Sequence, residues 1–83
     1  MKIDGTLYTM KSCPFCVRVE SYLETHNIQI KIIDITNNNQ KRNELIKLGG
    51  KAQVPCYVKD NSPLYESIDI INHFEDYIYD KAN

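Results

Sequence analysis

Gly5-Thr6-Leu7-Tyr8-Thr9-Met10-Lys11-Ser12-Cys13-Pro14-Phe15-Cys16 joins a β-prone run, a short loop and two cysteines three apart. Thr6, Leu7, Tyr8 and Thr9 suit an extended strand, predicted over about Gly5 to Met10. From Pro14 to about His26 the apolar pattern is helical, with Cys16, Val19, Tyr22 and Leu23 on one face. Proline fits the first helical position because its missing N–H has no intrahelical partner there. The cysteine pair is therefore predicted at a strand-to-helix junction.

Working outward, Ile28 to Ile35 alternates and then turns apolar, as a strand entering a core would. Asn37-Asn38-Asn39 reads as a loop or helix start, followed by a helix from about Asn39 to Leu48 that Gly49-Gly50 stops. Val54 to Lys59 is predicted as a short strand, and Asn61-Ser62-Pro63 as a turn into a brief strand at Leu64-Tyr65. From Ser67 to about Tyr79, Ile70, Ile71, Phe74, Tyr77 and Ile78 recur at helical spacing, with Ser67 as a cap. The order βαβ followed by ββα predicts an α/β domain with a four-stranded mixed central sheet and three helices. Its first two strands would run parallel through a right-handed crossover.

With 83 residues the chain is long enough for one domain, predicted over 1–83. Its net charge of −1, with acids and bases intermixed, leaves no nucleic-acid footprint. No apolar run suits a signal peptide or a membrane span. Three cysteines, an odd number, argue against a stapled secreted scaffold. A cytoplasmic location is expected, where cysteines stay reduced unless a disulfide is transient and catalytic.

Two thiols at such a junction suit thiol–disulfide exchange. As an N-cap, Cys13 would hold its sulfur beside unpaired backbone N–H groups and the positive end of the helix dipole. Both favour the thiolate, the attacking species, and Lys11 adds positive charge nearby. Cys16, one turn into the helix, is the thiol that can resolve a mixed disulfide. Two cysteines simply packed in a helix are the plainer alternative. A zinc site would need four ligands, and Cys56, His26 and His73 form no second pair at ligand spacing, so no metal is expected.

Gln53-Val54-Pro55 carries a second signal. A proline opening an internal strand calls for a cis bond or an edge position, unless it is a plain trans turn. A cis turn would leave the Val54 backbone ready to pair with an extended peptide. Glu66-Ser67 is the third signal. The start of the last helix is an anion site in the making, or Ser67 is only a cap.

Together, Tyr8 to Cys16, Val54-Pro55 and Ser67-Ile68-Asp69 resemble the glutaredoxin family of the thioredoxin fold. Phe15 stands where the family carries tyrosine and keeps an aromatic wall. The resemblance implies glutathione as reductant and part of the substrate, with no tightly bound cofactor. Protein partners would be disulfide-bonded or glutathionylated, and a monomer is expected. Carried over by position, Cys13 is the nucleophile and Cys16 the resolving thiol. Val54, beside Pro55, would pair with the glutathione cysteine, and Arg42 would meet the glycine carboxylate. Ser67 would hold the γ-glutamyl carboxylate and Asp69 its amino group.

Three departures stand out. Lys11 lies one place closer to the first cysteine than the family's lysine. Tyr65-Glu66 replaces a Gly-Gly pair, so Glu66-Ser67 looks like the motif of glutathione-transferase-type thioredoxin domains. Ile68 replaces a common acidic residue. A transferase would carry a further helical domain and would not need Cys16. Other readings within the same fold are an electron carrier served by a thioredoxin-reductase-type partner and an iron–sulfur-binding module. Cys56 reads as a small buried strand residue or as a third reactive thiol.

Overall fold

The computed structural model describes residues 1–82, with side chains described through residue 80. Its elements are β1 (Lys2–Thr9), α1 (Pro14–Thr25), β2 (Gln29–Asp34), α2 (Asn39–Gly49), β3 (Cys56–Lys59), β4 (Ser62–Tyr65) and α3 (Ser67–Ala82). The sheet order is β2-β1-β3-β4. β1 and β2 run parallel, while β1–β3 and β3–β4 are antiparallel. This is the mixed four-stranded sheet and three-helix arrangement of the thioredoxin fold, as the element order predicts.

Strand alternation sorts the core into two layers. Ile3 and Leu7 of β1 and Tyr57 of β3 meet Val19 and Leu23 of α1 and Ile70 and Phe74 of α3. Their sequence neighbours Tyr8, Cys56 and Val58 face the other way with Ile35 onto Leu45 of α2. Successive strand side chains point to opposite faces, so the sheet lies between α1 and α3 on one side and α2 on the other.

Local chemistry sets the element ends. The Asn38 side chain accepts the Lys41 N–H at 3.1 Å and caps α2. Gly50, at φ 83°, closes that helix by donating its N–H to the Ile46 carbonyl at 2.7 Å. One residue earlier, Gly49 leaves room for the Tyr65 hydroxyl, which any β-carbon would overlap.

Several boundaries differ from the sequence reading. β1 begins at Lys2, because pairing with β2 extends to Lys2↔Gln29 and buries Ile3. The β3–β4 turn is Asp60-Asn61, both with positive φ, so β4 takes in Ser62 and Pro63. Those backbone angles match a two-residue hairpin, and Pro63 is tolerated because β4 is an edge strand. β3 begins only at Cys56, where pairing with Tyr8 and Tyr65 starts, directly after the cis Val54–Pro55 peptide.

Candidate active site

β1 delivers the chain to a loop that hydrogen bonds hold in place. The Cys13 N–H donates to the Met10 carbonyl, and the Lys11 N–H donates to the Thr36 hydroxyl at 3.0 Å. The Thr36 N–H in turn donates to the Asp34 carboxylate at 2.8 Å. The Thr36 side chain, the largest cause, then this N–H bond and the nearby Lys11 charge lower the Asp34 carboxyl below its ordinary value.

Cys13 is the N-cap of α1, in extended backbone geometry, with Pro14 in the first turn. Its Sγ accepts the Cys16 N–H at 3.1 Å, so an otherwise unpaired helix donor points at the sulfur. The same thiol lies 3.8 Å from the Val54 carbonyl, to which it can donate. Cys16 is 1% exposed, and burial, then its contact with Cys13, pushes its thiol up to about 12. The three cysteines are free thiols. Cys56 is fully buried among apolar residues on the α2 side, and burial raises its thiol.

Beside the cysteines lies a groove of about 540 Å³, walled by Phe15 and Arg18 of α1, by Gln53, Val54 and Pro55, and by Glu66, Ser67, Ile68 and Asp69. Of the residues singled out from the sequence, it gathers Phe15, Val54, Pro55, Glu66, Ser67 and Asp69. Arg42 lines a separate depression with Met10, Thr36 and Ala52. Ala52 continues directly into Gln53 and Val54, so this short segment forms the ridge between the two hollows. Lys11 lines a third, with Val17, Ile32 and Asp34. The structure therefore brings six of the eight candidate contacts together and sets Arg42 and Lys11 on other flanks of the cysteine loop.

The groove's far wall is the start of α3. Glu66 rather than Ser67 occupies the cap position: its carbonyl accepts the Ile70 N–H at 3.0 Å, and Ser67 is the first helical residue, buried. Glu66 sits at φ 71°, a left-handed conformation that favours glycine, at a cost of about 1–2 kcal/mol. Its carboxylate accepts a hydrogen bond from the Gln53 side chain at 2.9 Å, tying the start of α3 to the Val54–Pro55 segment. Asp69 lies in the first turn, where the helix dipole favours an anion.

Sequence reasoning missed three wall residues as contacts, Gln53, Ile68 and Arg18. In the sequence Gln53 reads only as part of a motif, and its bond to Glu66 crosses thirteen positions of chain. Arg18 stands three residues after Phe15, the spacing at which helical side chains meet, and its guanidinium lies 5.7 Å from the ring centroid. That spacing was the available signal. Among the described residues no group of three His, Cys, Asp or Glu is placed to hold a metal ion. No helix among them is long and apolar enough to cross a membrane.

Comparison with known proteins agrees with this geometry. Glutaredoxin 1 of Rickettsia typhi is 32% identical over 77 residues, covering 90% of this chain and 74% of that protein. A glutathione S-transferase from the Antarctic clam Laternula elliptica superposes with a TM-score of 0.75 at 21% identity. The match covers 90% of this chain but spans only 35% of the transferase, and it shows the shared fold. A glutaredoxin from Archaeoglobus fulgidus superposes at 0.63 with 20% identity, covering 80% of this chain and 79% of that one. The Glutaredoxin family model matches residues 6–62, from β1 through the β3–β4 turn. On the family match, the Rickettsia relative and the paired thiols at the head of α1, the chain belongs to the glutaredoxin family of thiol–disulfide oxidoreductases.

Proposed function

We propose that this oxidoreductase is glutathione-dependent, reducing glutathione mixed disulfides and protein disulfides with Cys13 as nucleophile. The observation that carries the reading is the placement of the Cys13 sulfur. It receives an α1 N–H and lies 3.8 Å from the carbonyl of Val54, a wall residue of the groove that the start of α3 closes.

A tripeptide fits this layout. The glutathione cysteine pairs with the Val54 backbone beside Pro55, against the aromatic wall of Phe15. The γ-glutamyl end lies in the groove. Its carboxylate meets the unpaired N–H groups at Ser67 and its amino group meets Asp69, with Glu66 held close by Gln53. The glycine carboxylate crosses the Ala52–Val54 ridge toward Arg42, with Lys11 supplying positive charge from the remaining flank.

In the reaction, the Cys13 thiolate attacks the glutathione sulfur of a mixed disulfide. A Cys13–glutathione disulfide forms, and the substrate thiol leaves as thiolate and takes up a proton. A second glutathione thiolate then attacks the bound glutathione sulfur, restoring Cys13 and releasing glutathione disulfide. Two glutathione molecules supply the two electrons, so neither a tightly bound cofactor nor a second copy of the chain is required. Turnover of this kind belongs in a reducing compartment such as the cytoplasm.

Cys16 offers a second route through a Cys13–Cys16 disulfide. Burial, then contact with Cys13, keeps the Cys16 thiol protonated at neutral pH, and a protonated thiol does not attack. Capping Cys13 removes that thiol's contributions to the rise, but burial, the largest cause, remains. Release by external glutathione is therefore the favoured route.

The test is glutathione-dependent reduction of a small mixed disulfide, coupled to glutathione reductase. Wild type should be active, Cys13→Ser inactive and Cys16→Ser largely active. Loss of activity in Cys16→Ser would instead establish the dithiol route. An inactive wild type that a thioredoxin-reductase-type partner can still reduce would replace the glutathione reading with an electron-carrier one.

A further inference from the structure

Arg18 has no part in the chemistry described so far, yet it stands at the active-site groove. It is exposed on α1 and lines the groove beside Phe15, whose ring is 56% exposed. Among the described residues no carboxylate lies within ion-pair distance of its guanidinium, although Glu66 and Asp69 line the same groove. Its recorded partner is the Phe15 ring, 5.7 Å away. An aromatic face steadies a guanidinium while leaving its N–H donors available, and those donors match a carboxylate in geometry and charge. Ile68, 60% exposed on the α3 wall, adds apolar surface at the same rim.

We propose that Arg18 is a specificity-determining residue for the polypeptide half of the disulfide substrate, selecting cysteines flanked by an acidic side chain. The proposal rests on the glutathione reading above. When the glutathionyl half fills the groove, its amino group neutralises Asp69 and Glu66 stays bound to Gln53. Arg18 is then the charge left facing outward. The substrate's polypeptide departs from the far side of the disulfide and passes over the Phe15–Ile68 rim of the groove. A carboxylate one or two residues from its cysteine falls to Arg18.

The experiment uses two synthetic peptides with one glutathionylated cysteine each, identical except that the residues flanking the cysteine are glutamate in one and lysine in the other. Single-turnover rates of their reduction by the fully reduced protein are measured without added glutathione. The readout is the ratio of the two rates, for wild type, Arg18→Gln and Arg18→Glu.

Wild type should favour the acidic peptide by about two- to fivefold at low ionic strength, the scale of an exposed ion pair, and less as salt is added. The ratio should fall to about one in Arg18→Gln and invert in Arg18→Glu. A wild-type ratio of one or below overturns the proposal. So does an equal loss on both peptides in Arg18→Gln, which would assign Arg18 to the glutathionyl half. Because no free glutathione takes part, failure of glutathione-driven turnover in the coupled assay remains a separate result. Matching thermal midpoints for the three proteins would exclude misfolding as the source of any change.

Discussion

Cys16 and Cys56 are both sealed from water, and their surroundings give them different work. Cys16 packs behind Cys13, with its backbone N–H turned to the Cys13 sulfur. Cys56 opens β3 and points away from α1, into the layer that seats α2. That placement supports the plain structural reading over a third reactive thiol. Cys56→Ser should cost about 1–3 kcal/mol by burying a hydroxyl, measured by denaturant unfolding, and should leave glutathione turnover unchanged. Oxidative inactivation through Cys56 in the folded protein would contradict this. Glu66 is the residue at which local preference and position conflict most. Its left-handed backbone opposes a charged L-residue, and the bond to Gln53 offsets part of that cost while fixing a carboxylate at the groove.

At the scale of elements, each helix makes a separate contribution. α1 supplies Cys13 from its N-cap, and α3 supplies the opposite wall from its first turn. α2 is anchored chiefly by Leu45, the one fully enclosed side chain it gives to the core, and it carries Arg42. Leu45→Ala should therefore destabilise the protein by about 2–5 kcal/mol. Amide protons of Asn39–Gly49 should exchange earlier than those of α1 and α3, as hydrogen exchange would show. Uniform loss of protection across all three helices would contradict a separately anchored α2. These helices were legible because their apolar spacing and end residues agree. The strand ends at Lys2, Ser62 and Cys56 were not, since pairing across the sheet and the turn before β3 define them, and neither is a local property.

For the molecule as a whole, the titrating groups place the stability limit on the alkaline side. An unfolded cysteine loses its proton near 9.0, whereas folded Cys16 holds it to about 12, and Cys56 and Tyr57 are also raised by burial. Above pH 9 the unfolded chain thus binds fewer protons than the folded one, and stability falls as pH rises. The thermal midpoint should be level between about pH 5 and 8 and decline toward pH 11, less steeply in Cys16→Ser. A flat profile would mean that these groups titrate alike in both states. Read by itself, the chain determined its α/β class, its helices, the N-cap position of Cys13 and the family resemblance. Each depends on residues within a few positions of one another, where propensity, capping and periodicity act. Tertiary structure alone decided that Val54 meets the Cys13 sulfur across 41 positions and that Gln53 holds Glu66. It also placed Arg42 and Lys11 on different flanks and brought Arg18 to the groove. Those contacts are fixed by how the sheet stacks its helices and where the Val54–Pro55 segment turns, and no local rule along the chain encodes them.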